Sequence, residues 1–276
     1  MKIKLLLALA LFPAVMSAQE RFTVKGRIVN GQGESVEYVQ LGMPGHRIGT
    51  VSGADGSFEI EVPCDTLEFF HVSYREASYL VTGPAEDVLI ILEERELPPA
   101  VFIGGNTKEK ALVHPGMRVM KNVGIITTTI DREHPLGLEL GSVARAPKPF
   151  LIKDIQFSVL SNSIPGCVAS INIYRIEGKN ESFVNVLRKP IYFDVPISEE
   201  TQQIDIQPDD NVLLEPGRYF IAFQIVGYDE QAPSSGDMSM DFNIYLKSSY
   251  LREAALGKMS PFPVNIGITV KGLEYQ

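Results

Sequence analysis

The sequence predicts an all-β protein made of two sandwiches, and three observations carry that expectation. Short runs rich in Val, Ile, Phe and Tyr recur along the chain, separated by Gly, Pro, Asn and Asp. Helical periodicity is nearly absent. The 23 Gly and 18 Pro among 276 residues are more than long helices tolerate. With 45% hydrophobic and 21% charged residues the chain has the makeup of a globular protein, and its length suits two ordinary domains.

Residues 1–18 are expected to be a signal peptide. Lys2 and Lys4 precede the apolar run Leu5 to Phe12, and small residues end at Met16-Ser17-Ala18, the layout of a secretory leader cut after Ala18. The run is too short to span a bilayer. No later stretch offers about 20 apolar residues free of charge, Gly and Pro, so no transmembrane segment is expected. The net charge of −9, more negative once Lys2 and Lys4 are removed, argues against nucleic acid and against an anionic membrane surface as partners. Only Cys64 and Cys167 are present, far apart in sequence and in different expected domains, so two free, buried thiols are favoured over a disulfide.

The first sandwich spans 19–96. Its strand-like runs are Phe22 to Val29, Val36 to Gly42, Gly49 to Ser52, Phe58 to Val62, Leu67 to Tyr74, Tyr79 to Thr82 and Val88 to Leu92. Asn30-Gly31-Gln32-Gly33 and Asp55-Gly56 supply the turn residues between them. Phe58, Ile60 and Val62 alternate with Ser57, Glu59 and Glu61, so one face of that strand points inward and the other into water.

These residues carry a resemblance. The series Val24-Lys25-Gly26-Arg27-Ile28-Val29, Gly33-Glu34-Ser35-Val36, Gly49-Thr50-Val51-Ser52 and Asp55-Gly56-Ser57-Phe58-Glu59-Ile60, continued by Leu67 to Tyr74, is similar to the carboxypeptidase regulatory-like domain of exported Bacteroidetes proteins. Ser73 stands where that family commonly has Gly before the aromatic residue. The resemblance implies a seven-stranded, prealbumin-like or immunoglobulin-like sandwich that is not catalytic, on a protein of the cell envelope. In TonB-dependent receptors such domains precede a plug and a barrel of about 22 strands, for which this chain is too short. The zinc-binding His and Glu motif of the carboxypeptidase catalytic domain is absent.

A linker is expected over 97–120. Leu97-Pro98-Pro99 and Gly104-Gly105 punctuate the chain, and the polar stretch from Asn106 has room for one short helical turn. The second domain, 121–276, reads as a larger, jelly-roll-like sandwich. Its long apolar runs, Phe150 to Leu160 and Arg218 to Tyr228, suit central strands. About nine or more strands are expected in this domain. Leu251 to Leu256 reads as one helical turn. The turn Glu215-Pro216-Gly217-Arg218-Tyr219 is similar to turns in carbohydrate-binding jelly rolls.

No catalytic set emerges. His46, His71, His114 and His134 are scattered, so neither zinc nor any cofactor is expected. Asp205, Asp209 and Asp210, and again Asp229, Glu230, Asp237 and Asp241, read as solvated loop acids, with calcium as the alternative. For a ligand-binding face the candidates are Tyr228, Asp229, Tyr245 and Tyr250, with Tyr192 and Phe262 near strand ends: rings to stack on a sugar and an acid to bond its hydroxyls. The expectation is therefore an exported, non-enzymatic protein of the periplasm, outer membrane or cell surface that binds a glycan or an envelope protein. A hydrolase acting on polysaccharide or peptidoglycan, and a fimbria-like assembly subunit, are the alternatives.

Overall fold

Alternating apolar and polar residues make the first strand, β1 (Phe22–Asn30), which buries Val24 and Ile28 and sends Lys25 and Arg27 into solvent. In the computed structural model, which describes residues 20–96, 104–113, 125–130, 136–229, 236–243 and 249–276, every regular element is a strand. The expected leader, 1–18, lies outside the described residues, as does most of the expected linker.

β2 (Gln40–Met43), β3 (Ile48–Val51), β4 (Ser57–Val62), β5 (Thr66–Phe70), β6 (Ala77–Leu80) and β7 (Ala85–Leu92) complete the small sandwich. One sheet has the order β4-β1-β7 and the other β3-β2-β5-β6. The β1–β7 pair is parallel, and its neighbours are antiparallel. At the β3–β4 turn Asp55 Oδ1 accepts the Ser57 N–H at 2.9 Å and its hydroxyl at 2.6 Å, which closes the loop locally. β2 begins four residues later than expected, because Tyr38 adopts a φ of 52° and breaks the extended run.

β8 (Thr107–Val113) is the first surprise. The segment expected to be linker or helical turn pairs with the last strand as an edge of the larger sandwich. The strands that follow are β9 (Ile125–Ile130), β10 (Glu139–Ala146), β11 (Phe150–Asn162), β12 (Val168–Glu177), β13 (Ser182–Asn185), β14 (Tyr192–Asp194), β15 (Gln202–Ile206), β16 (Val212–Leu214), β17 (Gly217–Gly227), β18 (Gly236–Asn243), β19 (Ser249–Arg252), β20 (Ser260–Phe262), β21 (Asn265–Ile266) and β22 (Thr269–Tyr275). A seven-stranded sheet runs β13-β12-β17-β10-β19-β20 with β14 also on β12. An eight-stranded sheet runs β21-β18-β11-β22-β8, with β15 and β16 on β11 and β9 on β18. β11 is long enough to serve four partners: β16 and β15 follow one another along one edge, and β22 and β18 along the other.

Apolar residues from both sheets meet between them. Phe157 of β11 lies edge-on to Phe223 of β17 at 5.3 Å and to Phe193 at 5.7 Å. Leu251 and Arg252, expected in a helical turn, are strand residues because Leu140 and Glu139 pair with them. Phe157→Ala should lower the unfolding free energy by about 3–5 kcal/mol in urea titrations followed by near-ultraviolet circular dichroism. The exposed Ile91→Ala should change it by less than about 0.5 kcal/mol.

Candidate functional site

The two sandwiches are pressed together. Tyr38, Gln40, Phe70, His71 and Val72 of the small one face Ser170, Asn172, Ile191, Tyr192, Gln224 and Val226 of the large one around a cavity of about 20 Å³. Val51 and Val72 belong to the core of the larger sandwich, so the apolar interior is continuous across the junction. The approach is close enough that a Cβ on Gly49 would collide with the Ala255 carbonyl. Among the described residues, buried Gln40 Oε1, Ser170 Oγ and Gln224 Nε2 have no hydrogen-bond partner, and the cavity they border has the volume and polar groups suited to one water molecule.

A polar seam leads away from this junction across the outer face of the seven-stranded sheet. Gln40 Nε2 donates to Gln224 Oε1 at 3.2 Å, and Asn172 Nδ2 donates both to that oxygen at 3.0 Å and to Glu139 Oε1 at 2.7 Å. Tyr174 Oη donates to the same Glu139 oxygen at 2.7 Å. Arg252 then closes the seam, with Nη1 at 3.0 Å from Glu139 Oε2 and its guanidinium 5.0 Å above the Tyr174 ring. Glu139 is fully buried, so this pair orders the sheet face only while both charges are present. Arg252→Met should cost about 3–5 kcal/mol by guanidinium denaturation, and adding Glu139→Leu should recover most of it.

His71 sits in the same junction with its tautomer set by its neighbours. Nδ1 accepts the Ser73 backbone N–H at 3.2 Å, so the proton of the neutral ring is on Nε2, which donates to Tyr192 Oη at 3.3 Å. The Tyr74 ring packs beside it, 5.2 Å between centroids. Burial pushes its pKa down from 6.5 to about 4. A ring with a folded pKa below its unfolded value favours folding fully above pH 6.5 and loses that contribution as pH falls from 6.5 to about 4. Stability should therefore drop by about 3 kcal/mol over that window from this group, and His71→Gln should flatten the pH dependence in thermal melts at pH 4, 5, 6 and 7.

The larger opening is elsewhere. A groove of about 630 Å³ is lined by β8, β22 and β11, with Glu109, Lys110, Lys153, Gln156, Thr269 and Lys271 supplying most of its polar groups. Lys271 Nζ donates to Gln156 Oε1 at 2.7 Å and lies 4.0 Å from Asp154. Lys110 Nζ lies 2.7 Å from Glu274 Oε2. The signal for this groove was weak in sequence, because Lys110 fell in a segment that read as linker and Lys153 in a run that read as core.

Of the residues expected to form a ring-lined face, Tyr250 and Tyr228 do not come together. Tyr250 is buried, its ring 4.8 Å from Phe183 and 5.7 Å from Phe220, and its hydroxyl donates to Glu181 Oε2 at 2.8 Å. Such a ring has no free face for a sugar. Tyr228 packs against the main core, and Asp229 donates its backbone N–H to Pro165 O at 2.8 Å. They follow the end of β17, eight residues beyond Phe220, which places them about 25 Å from Tyr250 at roughly 3.3 Å per residue. Tyr245 lies outside the described residues. Tyr192 is part of the junction instead, edge-on to Tyr38 at 5.0 Å.

Both cysteines are free, with Cys64 exposed rather than buried. Burial pushes the Cys167 thiol up to about 12, which leaves it protonated and unreactive. Among the described residues no three His, Cys, Asp or Glu side chains gather in a metal-holding group, and no helix is long and apolar enough to cross a membrane.

The chain matches no family model and no curated protein. Among solved structures it is similar to a DUF3823 family protein from Parabacteroides merdae, at 12% identity over 89% of this chain and 98% of that one, with a TM-score of 0.22. A DUF3823 family protein from Bacteroides ovatus is similar at 11% identity over 80% and 97%, TM-score 0.21. The infectious bursal disease virus Gt strain structure is similar at 9% identity over 92% and 60%, TM-score 0.28. Likenesses this distant carry no argument about chemistry.

Proposed function

We propose that this chain is an exported, non-catalytic protein of the bacterial envelope or surface, whose larger sandwich binds a glycan along the groove over β8, β22 and β11. The groove itself carries the reading. Its volume of about 630 Å³ falls in the range of ligand sites. Its lining of Lys, Gln, Thr and Glu side chains offers donors and acceptors to hydroxyl groups, whereas Ala111 and Leu273 are its only apolar side chains among the described residues. Polar heads set over the apolar stems of the lysines, Ala111 and Leu273 suit a ligand that carries both hydroxyl groups and apolar ring faces, as a sugar does.

The small sandwich then acts as a rigid base, held through the junction on the seven-stranded sheet, a different sheet from the one lining the groove. Export rests on the leader-like residues 1–18 and on the resemblance of the first domain to envelope modules. The test is a glycan array probed with the mature chain, with product analysis on every glycan retained. Binding without release of new reducing ends is the expected result, and it should weaken on Gln156→Ala together with Thr269→Ala. Turnover that disappears when a single Asp or Glu is replaced would instead make the protein a hydrolase.

A further inference from the structure

The three lysines of the groove are not equivalent. Lys110 is held by Glu274, whose side chain is only 12% exposed, and Lys271 is engaged by Gln156 and Asp154. Lys153 is exposed and, among the described residues, has no carboxylate within ion-pair distance. Its position is also unusual. The β11–β22 register shifts between Ile152 and Asp154, so Lys153 is the extra residue of a bulge in that central strand, well before a second shift between Val159 and Ser161 on the β18 pairing. A bulge disrupts the ladder and re-aims the side chain it carries. Here it delivers an unpaired ammonium to the floor of a ligand-sized groove, in a chain of net charge −9.

We infer that the groove takes an acidic polysaccharide, one that bears carboxylate or sulfate groups, with Lys153 pairing the acid. This rests on the glycan reading above and narrows it. Lys110 and Lys271 also line the groove, each held by its own carboxylate, which leaves Lys153 as the lining cation that pairs the ligand's acid, and Gln156 and Thr269 supply further polar groups beside it. Glu109 is the one acid among the described lining residues, and it sets the sign of charge that the ligand can bring near β8.

The inference is tested by calorimetric titration of the mature chain with polygalacturonate, alginate and chondroitin sulfate oligosaccharides, and with maltotetraose and cellotetraose as neutral probes. At least one acidic probe should bind about tenfold or more tightly than either neutral one, and its affinity should fall as salt is raised. Lys153→Gln should weaken that binding about tenfold, while Lys153→Arg retains it. Acidic binding that ignores Lys153→Gln, or neutral probes bound as well as acidic ones, would overturn this inference and leave glycan binding standing. Absence of binding to both sets, extended to the full array, would overturn both.

Discussion

The structure depends on burying both faces of one sheet. β12, β17 and β10 send Ile171 and Ile173, Ile221 and Phe223, and Leu140 and Ala144, respectively, into the core of the larger sandwich. Their opposite faces lie under the small sandwich and a cluster of Tyr174, Phe220 and Tyr250, so β17 is buried almost without interruption. An entirely apolar outer face would be satisfied by many ways of laying a second module against it. The chain of hydrogen bonds from Gln40 through Gln224 and Asn172 to Glu139, closed by Arg252, admits few. Each member left unpaired in that buried setting costs free energy, so the seam penalises misdocked arrangements more than it rewards the correct one.

Charge is used in two ways on the two sheets. On the seven-stranded sheet Glu139 and Arg252 are withdrawn from water and spent on architecture. On the eight-stranded sheet Lys153, Lys271 and Lys110 line an open groove instead. β11 links the two roles. Its buried residues Phe150, Ile152, Ile155 and Phe157 anchor it in the core, and the bulge between Ile152 and Asp154 breaks that alternation just where a lysine is presented outward. A rigid strand is a more precise platform than a loop for such a group.

Much of the architecture was legible in the residues. All seven strands of the small sandwich were anticipated to within a few positions, because alternation of apolar and polar residues and turn chemistry are local signals. β10 was not. Its sequence, Glu139-Leu-Gly-Ser-Val-Ala-Arg-Ala, has no run of branched or aromatic residues, yet it is central. Small residues are required there because a Cβ on Gly141 would strike the Ile221 carbonyl of β17, a demand visible only in the neighbour. β8 was missed for a related reason: Lys108-Glu109-Lys110 is a charged edge, and polar edge strands look like linkers.

Local patterning determined that this chain folds as layered β-sheet, since pleat alternation, turn residues and the scarcity of helical periodicity act over a few residues. Tertiary structure alone decided the rest. It turned Tyr250 inward, separated it from Tyr228, brought Gln40 to Gln224 and Lys110 to Glu274, and opened the groove on the eight-stranded sheet. The reason is physical: exposure and partnership of a side chain are properties of long-range packing, set by residues far away in sequence, and no pattern of near neighbours encodes them.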